Sequence, residues 1–213
     1  MNVFDDFELD TDETIAELAS DLPDDMRGLI FQAQIASDQY ASAIEAEDLE
    51  MARASLASLQ ATIYKANGNT MFGCAVNEAV QPIYDALKAE PGTIPHWGQC
   101  GEFIVQIESV RAICSFTSKI RISPPNFAFY VIDKHQLFIS PTGFHSAYTY
   151  EMSGTVEDRA RLILAELADA QLVSLEADAF GHRRELPEWA ADQLADTPRP
   201  IVSDAHGQVQ LPF

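Results

Sequence analysis

Glu102-Phe103-Ile104-Val105-Gln106-Ile107-Glu108 is the stretch where the pattern of the chain changes. Phe103, Val105 and Ile107 alternate with Ile104, Gln106 and Glu108, a two-residue period that places one set on each face of a pleated strand. β-Branched and aromatic residues continue through Ile113, Phe116, Ile120 and Ile122, so strand formation extends beyond the first run. Upstream of Glu102 the apolar period is three to four, which is helical. The fold class expected from this switch is α+β: a helical N-terminal part followed by a mainly antiparallel sheet backed by one or more helices.

Working back toward the start, Val76, Val80, Ile83, Tyr84 and Leu87 mark a helix that Pro82 starts or interrupts and Pro91-Gly92 ends. Leu49, Ala52, Leu56, Leu59, Ile63 and Ala66 form one apolar stripe, closed by Asn67-Gly68-Asn69 as a left-handed stop. Met26, Ile30, Ala33, Ser37, Tyr40 and Ile44 form another, started by Pro23. Two such stripes joined by a short connection predict an antiparallel helical hairpin. Ahead of them, Asp10 with Glu13 reads as a capping box for a short helix over Ile15, Leu18 and Ala19.

Working forward, Pro124-Pro125 breaks the strand run. Residues 127–132 and 136–139 then flank Asp133-Lys134-His135 as a hairpin. Pro141-Thr142-Gly143 turns the chain into a strand from Phe144 to Tyr150, and Thr155 with Asp158 opens a helix over Val156, Ala160, Ile163, Leu167 and Ala170. Leu172 to Ala177 is expected to return to the sheet. Beyond Phe180, Pro187, Pro198, Pro200 and Pro212 leave a short helix and an irregular tail. The expected organisation is an acidic arm with a short helix (1–25), a helical hairpin plus a third helix (26–92), an α+β sheet region (93–180) and the tail (181–213).

Across 213 residues, 13 Lys and Arg face 33 Asp and Glu, a net charge of −20. Such a field repels phosphate, so free nucleic acid is not the expected partner. Apolar residues at 47% supply a core that needs no covalent staples. No basic and apolar leader opens the chain and no apolar run is long enough to span a bilayer, so a soluble cytoplasmic protein without membrane contact is expected. Cys74, Cys100 and Cys114 form no CxxC pair. The five histidines are scattered, and Walker, G-x-G-x-x-G and Gly-x-Ser-x-Gly segments are absent, so no metal or cofactor is expected.

Two short segments carry chemistry. In His96-Trp97-Gly98-Gln99-Cys100-Gly101, the Gly-Gln-Cys run resembles the nucleophile segment of transglutaminase-like and papain-like thiol enzymes. That resemblance implies a Cys100 thiolate with His135 or His145 as base and Asp133 or Asp158 as orienter, in a small thiol hydrolase or acyltransferase. Gly101 stands where those families carry an aromatic residue. Phe180-Gly181-His182-Arg183-Arg184 resembles the Gly-x-Arg-Arg phosphate contact of the ParB/sulfiredoxin superfamily. It implies a nucleotide- or nucleic-acid-acting domain using Arg183 and Arg184, although Pro187 falls where that family's helix would run.

Charge concentration decides between these readings. Residues 1–25 hold ten acids and no Lys or Arg. The leading expectation is therefore a non-enzymatic inhibitor, immunity protein or chaperone whose Asp5, Asp6, Glu8, Asp10, Asp12 and Glu13 engage a basic surface on a secretion, conjugation or nucleic-acid-handling partner.

Overall fold

The computed structural model describes residues 12–108, 110–118, 124–133, 137–176 and 185–195. The fold is α+β. Three helices open it: α1 (Asp12–Ser20), α2 (Met26–Glu45) and α3 (Leu49–Ala66). Asp25 caps α2 by accepting from the Gly28 N–H at 2.9 Å, and Asp48 caps α3 by accepting from the Met51 N–H at 3.0 Å, which satisfies amides that a helix start leaves without partners. Glu47 takes φ 57° to turn the chain between α2 and α3. The expected stop after α3 is there, with Gly68 at φ 76° and Asn69 at φ 63°. A 3-10 turn (Cys74–Val76) and the short α4 (Gln81–Ala86) complete the helical part.

Four strands follow, β1 (Gly101–Gln106), β2 (Arg111–Thr117), β3 (Asn126–Val131) and β4 (Phe144–Tyr148), in an antiparallel meander of order β1-β2-β3-β4. The register pairs Phe103 with Cys114, Cys114 with Phe129 and Phe129 with His145. One face of the sheet therefore carries Phe103, Val105, Ala112, Cys114, Phe116, Phe127 and Phe129, all buried. They form one core cluster with Tyr40, Ile44 and Leu56 of the helical part and with Val156, Ala160 and Leu164 of α5 (Val156–Ala170). Trp97 stands edge-on to Phe116 at 5.7 Å between ring centres and to Phe127 at 6.3 Å, a favoured aromatic geometry. A second cluster, Leu29, Ala33, Leu59, Ile63, Cys74, Val80 and Ile83 among others, lies wholly within the helical part.

The capping box at α5 is reciprocal: the Asp158 N–H donates to Thr155 Oγ1 at 3.1 Å while the Asp158 carboxylate accepts from the Thr155 N–H. Hydrogen bonds from Thr155 hold the Asp158 carboxyl below its ordinary range. Arg159 on the same helix reaches Thr149 and Glu151 just beyond β4, at 3.0 and 2.9 Å.

The expected hairpin between 127–132 and 136–139 does not form. The partner of β3 is β4, with Val131 N–H donating to Gly143 O at 2.9 Å. Gly143 at φ 73° brings the chain so near that a Cβ there would meet Val131 Cγ1 at 2.8 Å. Residue 138 instead exchanges backbone hydrogen bonds with Val173, at 2.9 and 2.8 Å. The reason is burial: Phe138 is fully covered and Leu137 is 46% exposed, so the apolar residue is used to close the core from a loop rather than to extend the sheet. Of the expected return from Leu172 to Ala177, residues 172–176 are described; they pair through Val173 with that loop and not with the sheet, and Ala177 lies outside the described residues. After residue 184, α6 (Glu188–Ala195) buries Ala190.

Leu164 is fully buried and Leu162, two residues earlier on the same helix, is 47% exposed. Leu164→Ala is expected to cost about 2–5 kcal/mol by leaving a cavity, and Leu162→Ala about 0.5 kcal/mol or less. Urea unfolding of the two variants measures the difference.

Candidate nucleic-acid interface

The segment from His96 to Gly101 fastens the helical part to the sheet and to the start of α5. Ser37 Oγ on α2 donates to Gly98 O at 2.6 Å, and a Cβ on residue 98 would lie 2.3 Å from Ser37 O. Trp97 Nε1 donates to Gly154 O at 2.7 Å, just before α5, and the Ser118 hydroxyl donates to Trp97 O. His96 Nδ1 accepts the Gly98 N–H at 3.1 Å, and Nε2 lies 3.2 Å from Asp38 Oδ1. That arrangement uses the neutral ring, one nitrogen accepting and the other donating. Burial pushes the His96 pKa down, opposed by the nearby Asp38 carboxylate.

Cys100, at the start of β1, donates its N–H to Leu87 O and helps line a cavity of about 330 Å³ with Lys88 and Glu102. His145 is on β4, three strand spacings away, which is about 14 Å across the sheet. Asp158 is engaged in its capping box, Asp133 is half-buried after β3, and His135 lies outside the described residues. Among the described residues, Cys100 and His145 are thus not brought together as the Gly-Gln-Cys resemblance implied. Arg183 and Arg184 lie outside the described residues, as do Asp5, Asp6, Glu8 and Asp10. Asp12 opens α1 and Glu13 is exposed on it.

The most distinctive surface is at the far end of the helical part. Because α2 and α3 run antiparallel, the start of α2 and the end of α3 meet there. Lys65 pairs with Asp24 at 2.8 Å and also donates to Leu22 O, and its hydrogen bond and charge hold the Asp24 carboxyl below the ordinary range. The loop 67–77 is organised around Asn67: its Nδ2 donates to Thr70 O at 2.6 Å and to Phe72 O at 3.1 Å, and its Oδ1 accepts from Asn77 Nδ2 at 2.6 Å. Asn77 Oδ1 in turn accepts the Ala79 N–H at 3.0 Å. Gly73 at φ 71° completes the turn. Cys74 is buried in the helical cluster and Met71 packs against it. Phe72 between them is 92% exposed, and Val76 is 88% exposed.

Comparison with known proteins bears on this same segment. Residues 14–83 match the KlcB N-terminal DNA-binding domain. Two Escherichia coli proteins, each called Protein KlcB, are similar over most of the chain: one is 33% identical over 200 residues, covering 90% of this chain and 40% of the relative, and the other is 35% identical over 185 residues, covering 83% and 46%. The chain thus spans less than half the length of the curated relatives it matches. No solved structure matches it.

These matches overturn the expected protein-masking inhibitor, with its basic protein partner, and the expectation that free nucleic acid plays no part. Neither the thiol enzyme nor the ParB/sulfiredoxin-like reading gains support from them. The reasoning from mean charge missed a local signal. Between Glu50 and Glu78, residues 51–77 contain no Asp or Glu and carry Arg53 and Lys65. Within a chain of net charge −20 that window is a gap in the acidic sequence, with Asp24 against its Lys65 in the fold, and screening confines each charge's influence to about 8 Å at physiological salt.

Gly98→Ala is expected to lower stability by about 1–3 kcal/mol through overpacking against Ser37, read as a drop in thermal midpoint. His96 adds a pH dependence. Its folded-state pKa lies below the ordinary imidazole value of 6.5, so its contribution is fully present above that value and is lost as the pH falls through it toward the folded-state pKa. His96→Gln should flatten the loss of stability between about pH 7 and pH 5 in denaturant titrations.

Proposed function

We propose that the helical part, α1 to α4, binds duplex DNA and presents the loop 67–77 and the first turn of α2 to it. The carrying observation is the match of residues 14–83 to a DNA-binding domain, which begins inside α1 and ends inside α4. Arg27 is exposed on the first turn of α2 and Arg53 on α3. Neutral groups supply much of the rest, since a large share of contacts to phosphate come from backbone N–H groups and from Asn, Ser and Thr side chains. Asn69 and Thr70 are exposed at the loop for that purpose.

The acidic remainder of the chain has a role in this reading. Within a screening length it repels phosphate wherever a duplex lies against it, and so favours approach through the end of the helical part that carries Arg27 and Lys65. The sheet and α5 hold the helical part through the 96–101 fastening, and the cytoplasm is the compartment this reading implies. No helix among the described residues is long and apolar enough to cross a membrane.

Titration of the chain against labelled duplexes enriched from a random library tests the proposal. Saturable binding should appear at about 50 mM salt, with a plot of log affinity against log salt no steeper than about −3 per chain, because each neutralised phosphate contributes about −0.9 and residues 14–83 hold only Arg27, Arg53 and Lys65. Arg27→Ala should reduce that slope by about 1. Absence of saturable binding to any duplex under these conditions would remove the proposal.

A further inference from the structure

Resting on that DNA-binding reading, we infer that Phe72 is an apolar wedge that inserts between two base pairs of the bound duplex, with Val76 four residues on as a second apolar contact. Phe72 takes almost no part in the protein core, being 92% exposed. Its backbone is nevertheless fixed: Asn67 Nδ2 donates to Thr70 O and Phe72 O, and the Phe72 N–H donates to Thr70 Oγ1 at 3.1 Å. Met71 and Cys74, on either side, are anchored in the helical cluster. With the backbone of the turn fixed, only the two side-chain torsions of the ring remain to be ordered on binding, which lowers the cost of a preorganised contact.

The charge count says why the partner of this ring is a base step. Residues 14–83 contain three cations, and Lys65 is already paired with Asp24. Counterion release from so few phosphates leaves most of the affinity to be found elsewhere. Stacking of a Phe ring on bases is independent of cations, and Phe is among the side chains that wedge between base pairs and kink the duplex. The loop that carries the ring has no carboxylate of its own, since no Asp or Glu occurs from residue 51 to residue 77, and Asp24 at the same end is neutralised by Lys65. Duplexes selected by the chain should accordingly be rich in pyrimidine–purine steps such as TA and CA, which unstack most readily.

The experiment uses enriched duplexes of about 30 base pairs with a donor and an acceptor dye at their ends, titrated with the full chain. The wild type should shorten the end-to-end distance on binding. Phe72→Ala should bind about 5- to 150-fold more weakly and no longer bend the duplex. Phe72→Leu, which keeps a wedge, should retain the bend. The thermal midpoint of Phe72→Ala should equal that of the wild type, since the ring is outside the core. If the wild type binds but Phe72→Ala binds and bends equally well, the wedge is wrong while DNA binding stands. If the wild type binds no duplex, the underlying reading falls.

Discussion

The carbonyl oxygen of Ser37 lies where a Cβ on residue 98 would need to be, 2.3 Å away. Helix α2 and the turn that leads into β1 are therefore in backbone contact, a separation only glycine permits. From that contact the Ser37 hydroxyl, the His96 ring and the Trp97 indole reach outward to Gly98, Asp38 and Gly154. Three elements distant in sequence, α2, the sheet and the start of α5, are thus held at one point. Trp97 is 1% exposed and fills the space between that point and the phenylalanines of the sheet. The placement of the helical part on the sheet follows from this packing, and with it the direction in which the loop 67–77 faces.

Elements with a strong local signal were legible in the sequence. The stripes of α2 and α3, the Asn67-Gly68-Asn69 stop and the Thr155 and Asp158 box each depend on contacts within a few residues, so periodicity and capping chemistry report them directly. The partner of β3 was not legible in the same way. Alternation at 136–139 is compatible with a hairpin strand and equally with a loop that buries Phe138, and only the competition for space in the core distinguishes them. The role of His96-Trp97-Gly98 also escaped, because Ser37 is 61 residues from its partner Gly98 and Gly154 is 57 residues from its partner Trp97.

Charge was misleading for a different reason. A sum over 213 residues describes the field at long range, whereas a protein surface engages its partner at a few ångströms. The acids cluster in residues 1–25, and ten of the 33 lie there. Removing them from the mean exposes the contrast that matters, between an acidic start and a run from 51 to 77 without a single carboxylate side chain. Residue-by-residue placement of charge, rather than the total, is the quantity that bears on nucleic-acid contact.

The core cluster shared by α2, α3 and the sheet has a consequence for the growing polypeptide. Tyr40, Ile44 and Leu56 are covered by strands that are synthesised later. From Ala66, where α3 ends, to Val131, where β3 ends, translation takes on the order of 3–13 s at about 5–20 residues per second. Helix pairs form far faster than that. During each round of synthesis the residues of α2 and α3 that face the sheet therefore stay uncovered for seconds, an interval in which exposed apolar surface is open to aggregation.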